Sequence, residues 1–410
     1  MTRLRITVSY RALPSAFWLL WSGTLINQLG MFVAPFFMIY LTQVRDFSVV
    51  HAAVSVSLVG VGTLIAAPVG GILADRWGRR PTLVGSLVSA ACCTIMLGMA
   101  RSVVLIDGLA LLVGFTSNVF RPAAAAAIID LVAEEHRRQA FALNYWAGNV
   151  GVAIGPMLAG FLMQWRPTAI FFIDGLTTLV FGVWMSRCVW PPTAAPTVKP
   201  GETSRRNLVR PLGRDRPLIA LALLAFCFAV VYFQNTSTLP IVMHARGLTD
   251  ADYGAVIAMN GATVLVFSVP IHAMIRRMRP ARAMAGAALL LGTGFGLISI
   301  AHGELAMMMT VVIWTLGEVI ATPVASTWIG QISPPHLRGT YQGIYSSGWG
   351  AAQMAGPLAG GLVLTMFGSQ VLWGACFGLG IAVAGGYILL TRHAQHWPEE
   401  RRPTVPGTPS

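Results

Sequence analysis

This sequence is short of charge. Only 10% of its 410 residues are charged and 15 are acidic, whereas 55% are hydrophobic. A soluble globule of that length needs more polar surface, so the composition implies an integral membrane protein. The chain has no Gly-x-x-x-x-Gly-Lys-Ser/Thr loop, which removes ATP as the energy source. It has neither a His/Cys cluster for a metal nor a Gly-x-Ser-x-Gly elbow, so no cofactor is expected and an enzyme is not indicated. The five cysteines, Cys92, Cys93, Cys188, Cys227 and Cys376, lie in or beside apolar runs, where neither a disulfide nor a zinc knuckle would be built. Arg3, Arg5 and Arg11 precede the first apolar run without a small-residue cleavage site after it, so that run is expected to stay as a helix.

Long apolar runs dominate the rest. Windows able to cross a bilayer, about 20 residues each, fall near 14–41, 51–73, 82–100, 104–128, 140–163, 167–189, 217–243, 251–275, 282–301, 305–330, 340–366 and 368–391. Twelve spans are therefore expected in an all-α polytopic fold. The net charge of +13 does not point to nucleic acid, because the bases stand at the ends of apolar segments rather than on one face. Most of them share one side if both termini are inside, which places 1–13 and 392–410 as cytoplasmic tails in a bacterial inner membrane.

Residues 190–216 are rich in proline and arginine and carry no helical period, so they read as a cytoplasmic linker between a half at 14–189 and a half at 217–391. An internal repeat supports that division. Glu135-His136-Arg137-Arg138 recurs as Pro335-His336-Leu337-Arg338, and Tyr145, Gly148, Gly155-Pro156 and Gly160 recur as Tyr345, Gly348, Gly356-Pro357 and Gly361. The offset is 200 residues, slipping to 201 after Gly348. Duplicated halves of this kind place a substrate site between them, near the midplane of the bilayer.

Between the second and third spans lies Gly71-Ile72-Leu73-Ala74-Asp75-Arg76-Trp77-Gly78-Arg79-Arg80. One acid and three arginines cannot lie in hydrocarbon cheaply, so this stretch is predicted to be a turn at the membrane surface. The pattern Gly-x-x-x-Asp-Arg-x-Gly-Arg-Arg resembles the loop between helices 2 and 3 of the major facilitator superfamily of secondary transporters. That resemblance implies the superfamily's twelve-helix fold in two six-helix halves. It also implies that Asp75 caps the inner end of span eleven near Gly339-Thr340-Tyr341, and that Arg79 pairs with Asp130, forming a latch between halves. The counterpart Ile275-Arg276-Arg277-Met278-Arg279-Pro280 lacks the Gly and Asp, so one latch is expected.

Span five carries Gly151-x-x-x-Gly155-Pro156-x-x-Ala159-Gly160, which resembles the motif of the superfamily's drug/proton antiporter branch; equally, small residues at that spacing serve plain helix packing. Phe141–Asn149, with Ile128-Ile129-Asp130 ahead of it, is similar to span five of lactococcal-type multidrug/proton antiporters. Asn144 stands where those have an acid. The arginine usual earlier in span four of that branch is replaced by Ala110.

Ionisable residues inside spans are rare and functional by default. Glu318, midway along span ten, is the leading candidate for proton coupling, since a carboxyl sheltered there can exchange a proton near neutral pH. Asp174 in span six is a second candidate, or a helix-contact residue. Arg121 in span four could pair with Glu318, bind an anionic substrate group, or reach towards the inner surface. Asp107 lies near the outer surface. Asn27, Gln28, Asn118, Asn144, Asn235, Asn260, Trp314 and Trp328 are candidates for the cavity wall, each also readable as a packing residue.

The expected function is proton-coupled transport by alternating access, with export of amphipathic drugs or related metabolites ahead of uptake of a small metabolite. A receptor or enzyme on a transporter scaffold stands further behind. The expected partners are a small-molecule substrate, protons and the bilayer, with the chain acting as a monomer.

Overall fold

A computed structural model describes residues 13–187, 215–275, 278–334 and 337–393. The linker at 190–216 therefore lies almost wholly outside the described residues, as do both tails, Cys188 and Pro335-His336. Among the described residues all regular structure is helical.

The first half contains span one as Ser15–Leu29 and Val33–Ile39, the latter running into a π segment at Tyr40–Val44. Spans two to six are Val49–Trp77, Arg79–Met99, Val103–Leu131, Glu134–Trp165 and Ala169–Arg187. In the second half, span seven is Arg216–Tyr232, a 3₁₀ turn at Phe233–Asn235, and Leu239–Ala245. Spans eight to ten are Asp250–Ile275, Pro280–Leu297 and Gly303–Ile332. The helix Arg338–His393 is broken at Gly368, whose φ of 82° no helix contains, so it supplies spans eleven and twelve. Ten stretches among the described residues are long and apolar enough to cross a membrane. One of these is Thr340–Leu390, which holds the break at Gly368, and Pro280–Leu297, opening on Pro280 and Arg282, is not among the ten.

The charged stretch at 71–80 is more helical than its composition suggested. Span two runs on to Trp77 and span three begins at Arg79, so Gly78 alone makes the turn. Its φ of 91° and ψ of 158° fall in a region open essentially to glycine alone, which is why the motif has glycine there. Arg80 donates to the Ser186 carbonyl and so ties this turn to the end of span six.

The halves meet along two seams, span two against span eleven and span five against span eight. Near the ends remote from the 71–80 turn, the approach is at backbone distance. A Cβ on Gly160 would lie 2.5 Å from the Asp250 carbonyl oxygen, and one on Gly254 2.3 Å from that of Pro156. Towards the arginine-rich end, Phe141, Tyr145 and Trp146 of span five and Val266, Phe267, Val269 and Met274 of span eight are exposed. The halves are thus in backbone contact at one end, and both spans expose apolar side chains towards the end bearing the arginines.

Candidate functional site

Spans one and seven are both interrupted about midway, and each interruption is held by a neighbour. In span one, the helix stops at Leu29 and restarts at Val33, whose N–H donates to Asp174 Oδ2 at 3.0 Å. The Asp174 carboxylate thus caps the restarted segment, where free N–H groups and the helix dipole favour negative charge. In span seven, Gln234 lies at the break and uses its whole amide. Nε2 donates to the Val230 and Gly356 carbonyls, both at 2.9 Å, and Oε1 accepts from Thr238 at 2.9 Å and Ser237 at 3.4 Å.

The glycine motif of span five has a visible physical use. A Cβ on Gly151 would stand 2.4 Å from Cβ of Gln28 and one on Gly155 3.2 Å from the Leu29 carbonyl oxygen. The motif therefore seats span five against the break of span one, and Gly356 and Gly360 take the same place against span seven. Asn27 Oδ1 accepts the Thr178 hydroxyl at 2.7 Å, joining spans one and six. Asn118 donates to Thr63 Oγ1 at 3.0 Å and to the Gly114 carbonyl at 2.9 Å, joining spans four and two. Asn27 and Asn118, like Asp174, serve helix contacts.

The second half gathers a different group. Glu318 Oε2 accepts from Asn260 Nδ2 at 2.8 Å, and Oε1 from the Tyr232 hydroxyl at 3.3 Å. Asn260 also donates to Thr315 Oγ1 at 3.0 Å. Rings surround the cluster: Tyr232 lies edge-on to Trp314 with centroids 5.7 Å apart, to Trp349 at 5.6 Å and to Phe233 at 5.6 Å. Tyr145, from span five of the other half, is near enough for the Glu318 charge to act on it. Glu318 is only partly buried, and among the described residues no basic side chain forms an ion pair with it.

Arg121 does not supply that partner. Its side chain is exposed, and no ion pair joins it to Glu318 among the described residues. Asn144 is half-buried on span five. The side chains of Asp75 and Asp130 lie outside the described set, so the expected latch has no geometry here; Arg76 is exposed and Arg79 half-buried at the helix ends. At the opposite end, Asp107 accepts from Ser55 at 2.5 Å and faces His51 Nε2 at 3.4 Å, a polar contact between spans two and four.

Sequence reasoning singled out Glu318, Asn260, Trp314 and Asn235, which the fold brings near one another, but missed Tyr232 and Trp349. An aromatic residue in an apolar run looks like packing. Only its placement at a break opposite an acid distinguishes it.

An all-helical membrane protein of two similar halves, with interrupted spans and a polar group between them, has the architecture of a secondary transporter. A family model described as Major Facilitator Superfamily matches residues 20–322 and again 221–409. The chain belongs to the major facilitator superfamily and is a multi-pass membrane transporter. It is 25% identical to the uncharacterized MFS-type transporter YqjV of Bacillus subtilis (strain 168), over 86% of this chain and 87% of that one. It is 26% identical to the multidrug resistance protein MdtH of Aeromonas hydrophila, over 71% of this chain and 73% of the relative. Among solved structures, a peptide transporter POT in complex with sulfate superposes with a TM-score of 0.79 at 14% identity, covering 95% of this chain and 96% of that one. A mutant form of the nucleoside transporter NupG gives 0.74 at 12% identity, covering 90% and 99%. At that identity these two report on the fold alone.

Proposed function

We propose that this chain is a proton-coupled exporter of amphipathic molecules in a bacterial inner membrane, with Glu318 as the group that carries the coupling proton. The observation behind this reading is the Glu318 cluster itself. Two neutral donors, Asn260 and Tyr232, orient the carboxylate, and no cation among the described residues balances it. A charge in the low-dielectric middle of a membrane requires such a balance. A proton can supply it, and so can the positive end of an amphipathic substrate whose apolar body lies among Tyr232, Trp349 and Phe233. If only one of them occupies the carboxylate at a time, each leaves as the other arrives, and a pH gradient can drive the substrate out. The named multidrug resistance relatives support that substrate class.

In this reading the open, arginine-rich end faces the cytoplasm and substrate enters from there. The cycle closes that end, through the Asp75, Arg79 and Asp130 latch, and opens the other. Asp174 belongs to the supporting structure of the break in span one and acts as a second proton site only if Glu318 does not.

The test uses purified protein in liposomes with a fluorescent lipophilic cation and an imposed pH difference. Glu318→Gln is expected to bind the cation more weakly and to lose uphill transport by at least tenfold. Glu318→Asp should keep a measurable part of it. A Glu318→Gln protein that concentrates the cation at the wild-type rate overturns the assignment.

A further inference from the structure

The site and the closed end of the molecule share one short piece of chain, the break in span seven. Tyr232 is the last residue of the helix before the break, and Asn235 ends the 3₁₀ turn that follows. At the start of the break, the Tyr232 hydroxyl donates to Glu318. At its end, the Asn235 main-chain carbonyl accepts from the Tyr253 hydroxyl of span eight at 3.0 Å.

Tyr253 also crosses to the other half. Its hydroxyl is 3.1 Å from the Pro35 carbonyl of span one, and its ring lies edge-on to Phe36 with centroids 5.2 Å apart. Tyr253 and Phe36 are both almost wholly buried. A tyrosine hydroxyl has one proton, so the two carbonyls share it. The arrangement makes a seam that can be undone at small cost. When the halves part, Pro35 leaves but Asn235 keeps the proton, and Tyr253 is not left as an unsatisfied buried donor.

The bond at the start of the break answers to the state of the acid. Bonds to charged acceptors are about twice as strong as neutral ones. An ionised Glu318 therefore holds the Tyr232 hydroxyl, and a neutralised one holds it less tightly. Gln234 fixes the turn to Gly356 of span eleven, so a shift of Tyr232 is passed along the turn to the Asn235 carbonyl that Tyr253 holds.

We propose that Tyr232, Asn235 and Tyr253 form the coupling element of the transporter, through which the occupancy of Glu318 controls the seam between Tyr253 and Pro35 at the closed end. The inference rests on the reading of Glu318 as the proton site. The titratable groups facing Glu318 are Tyr232 from span seven and Tyr145 from span five; from span eight it meets the neutral Asn260. Tyr232 and Tyr253 act as positioning residues and transfer no proton themselves.

Spin labels on Arg166 and His244, both exposed at the closed end of opposite halves, report the opening in the full-length protein in lipid nanodiscs. In the otherwise unchanged protein, the long-distance fraction is expected to change with pH between 5 and 8. Tyr253→Phe keeps the ring against Phe36 and removes only the shared proton, so it should raise the long-distance fraction several-fold at every pH. Tyr232→Phe should leave the fraction nearly independent of pH. Glu318→Gln separates the two levels of the argument. If it leaves the pH response intact, the proton-site reading fails. If it abolishes the response while Tyr253→Phe and Tyr232→Phe both behave as the parent protein, the coupling element alone fails.

Discussion

Arg45 and Arg246 stand 201 residues apart and perform one task in two places. Arg45, after span one, donates to the Ala100 carbonyl at 2.5 Å and the Gly98 carbonyl at 3.3 Å while its guanidinium lies over the Tyr40 ring. Arg246, after span seven, donates to the carbonyls of Ala301 at 2.6 Å, Ile298 at 2.7 Å and Ser299 at 3.5 Å. Each arginine closes the C-terminal end of a span two further along, where carbonyls lack helical partners and the dipole favours a cation.

The Arg246 clamp should therefore be a stability feature separable from transport. Arg246→Ala is expected to lower stability by about 1–3 kcal/mol, the scale of charge-assisted hydrogen bonds. Arg246→Lys should recover only part, because an ammonium cannot span three carbonyls as a planar fork does. Thermal unfolding in detergent, alongside uptake rates in liposomes normalised to folded protein, checks this. A loss of transport with unchanged melting temperature would contradict it.

Closure of the end remote from the arginines depends on backbone contact between spans five and eight. Gly254→Val places side-chain atoms where the Pro156 carbonyl already lies, 2.3 Å from an ideal Cβ. The halves can accommodate it only by separating there, so labels on Arg166 and His244 should report a larger separation and transport should fall at least tenfold. Gly286→Val, at a glycine with nothing within 4 Å, is the control and should keep most of the activity.

The latch assigned to Asp75, Arg79 and Asp130 acts at the other end and in the other state. Asp75→Asn should raise the fraction open at the arginine-rich end and slow cycling while leaving expression intact. Arg79→Ala and Asp130→Asn should be non-additive by about 0.5–3 kcal/mol in that equilibrium if they pair. Label distances across the arginine-rich face that match the parent protein in all three variants would remove the latch from the mechanism.

Much of the architecture was legible because a membrane imposes a long, simple period on sequence. Apolar windows gave the spans, and the repeat of Tyr145, Gly155-Pro156 and Gly160 gave the two halves. Glu318 stood out since a lone acid in such a run is rare. Asn260 was a cavity candidate but, 58 residues away, could not be named as its partner, and Tyr232, 86 residues away, was missed because nothing local distinguishes it. Asp174 stood second to Glu318, with a helix contact as its alternative, and the N–H of Val33 lies against it. The equivalence of Arg45 and Arg246 was not readable from the repeat, whose offset of 200 ahead of Gly348 sets Arg45 against Ala245, and each alone looked like an ordinary outer-loop base.

Gly78 joins spans two and three without a spare residue. Such a joint allows the pair to pivot but not to slide, so span two behaves as a lever. A helix of 29 residues is about 43 Å long, and a tilt of about 10° moves one end relative to the other by roughly 7 Å. That displacement exceeds the diameter of a water molecule twice over. A small rotation set at the arginine-rich turn would thus change the spacing between spans two and eleven, where a Cβ on Gly361 would lie 2.8 Å from that of Ala53, by more than the width of a water molecule.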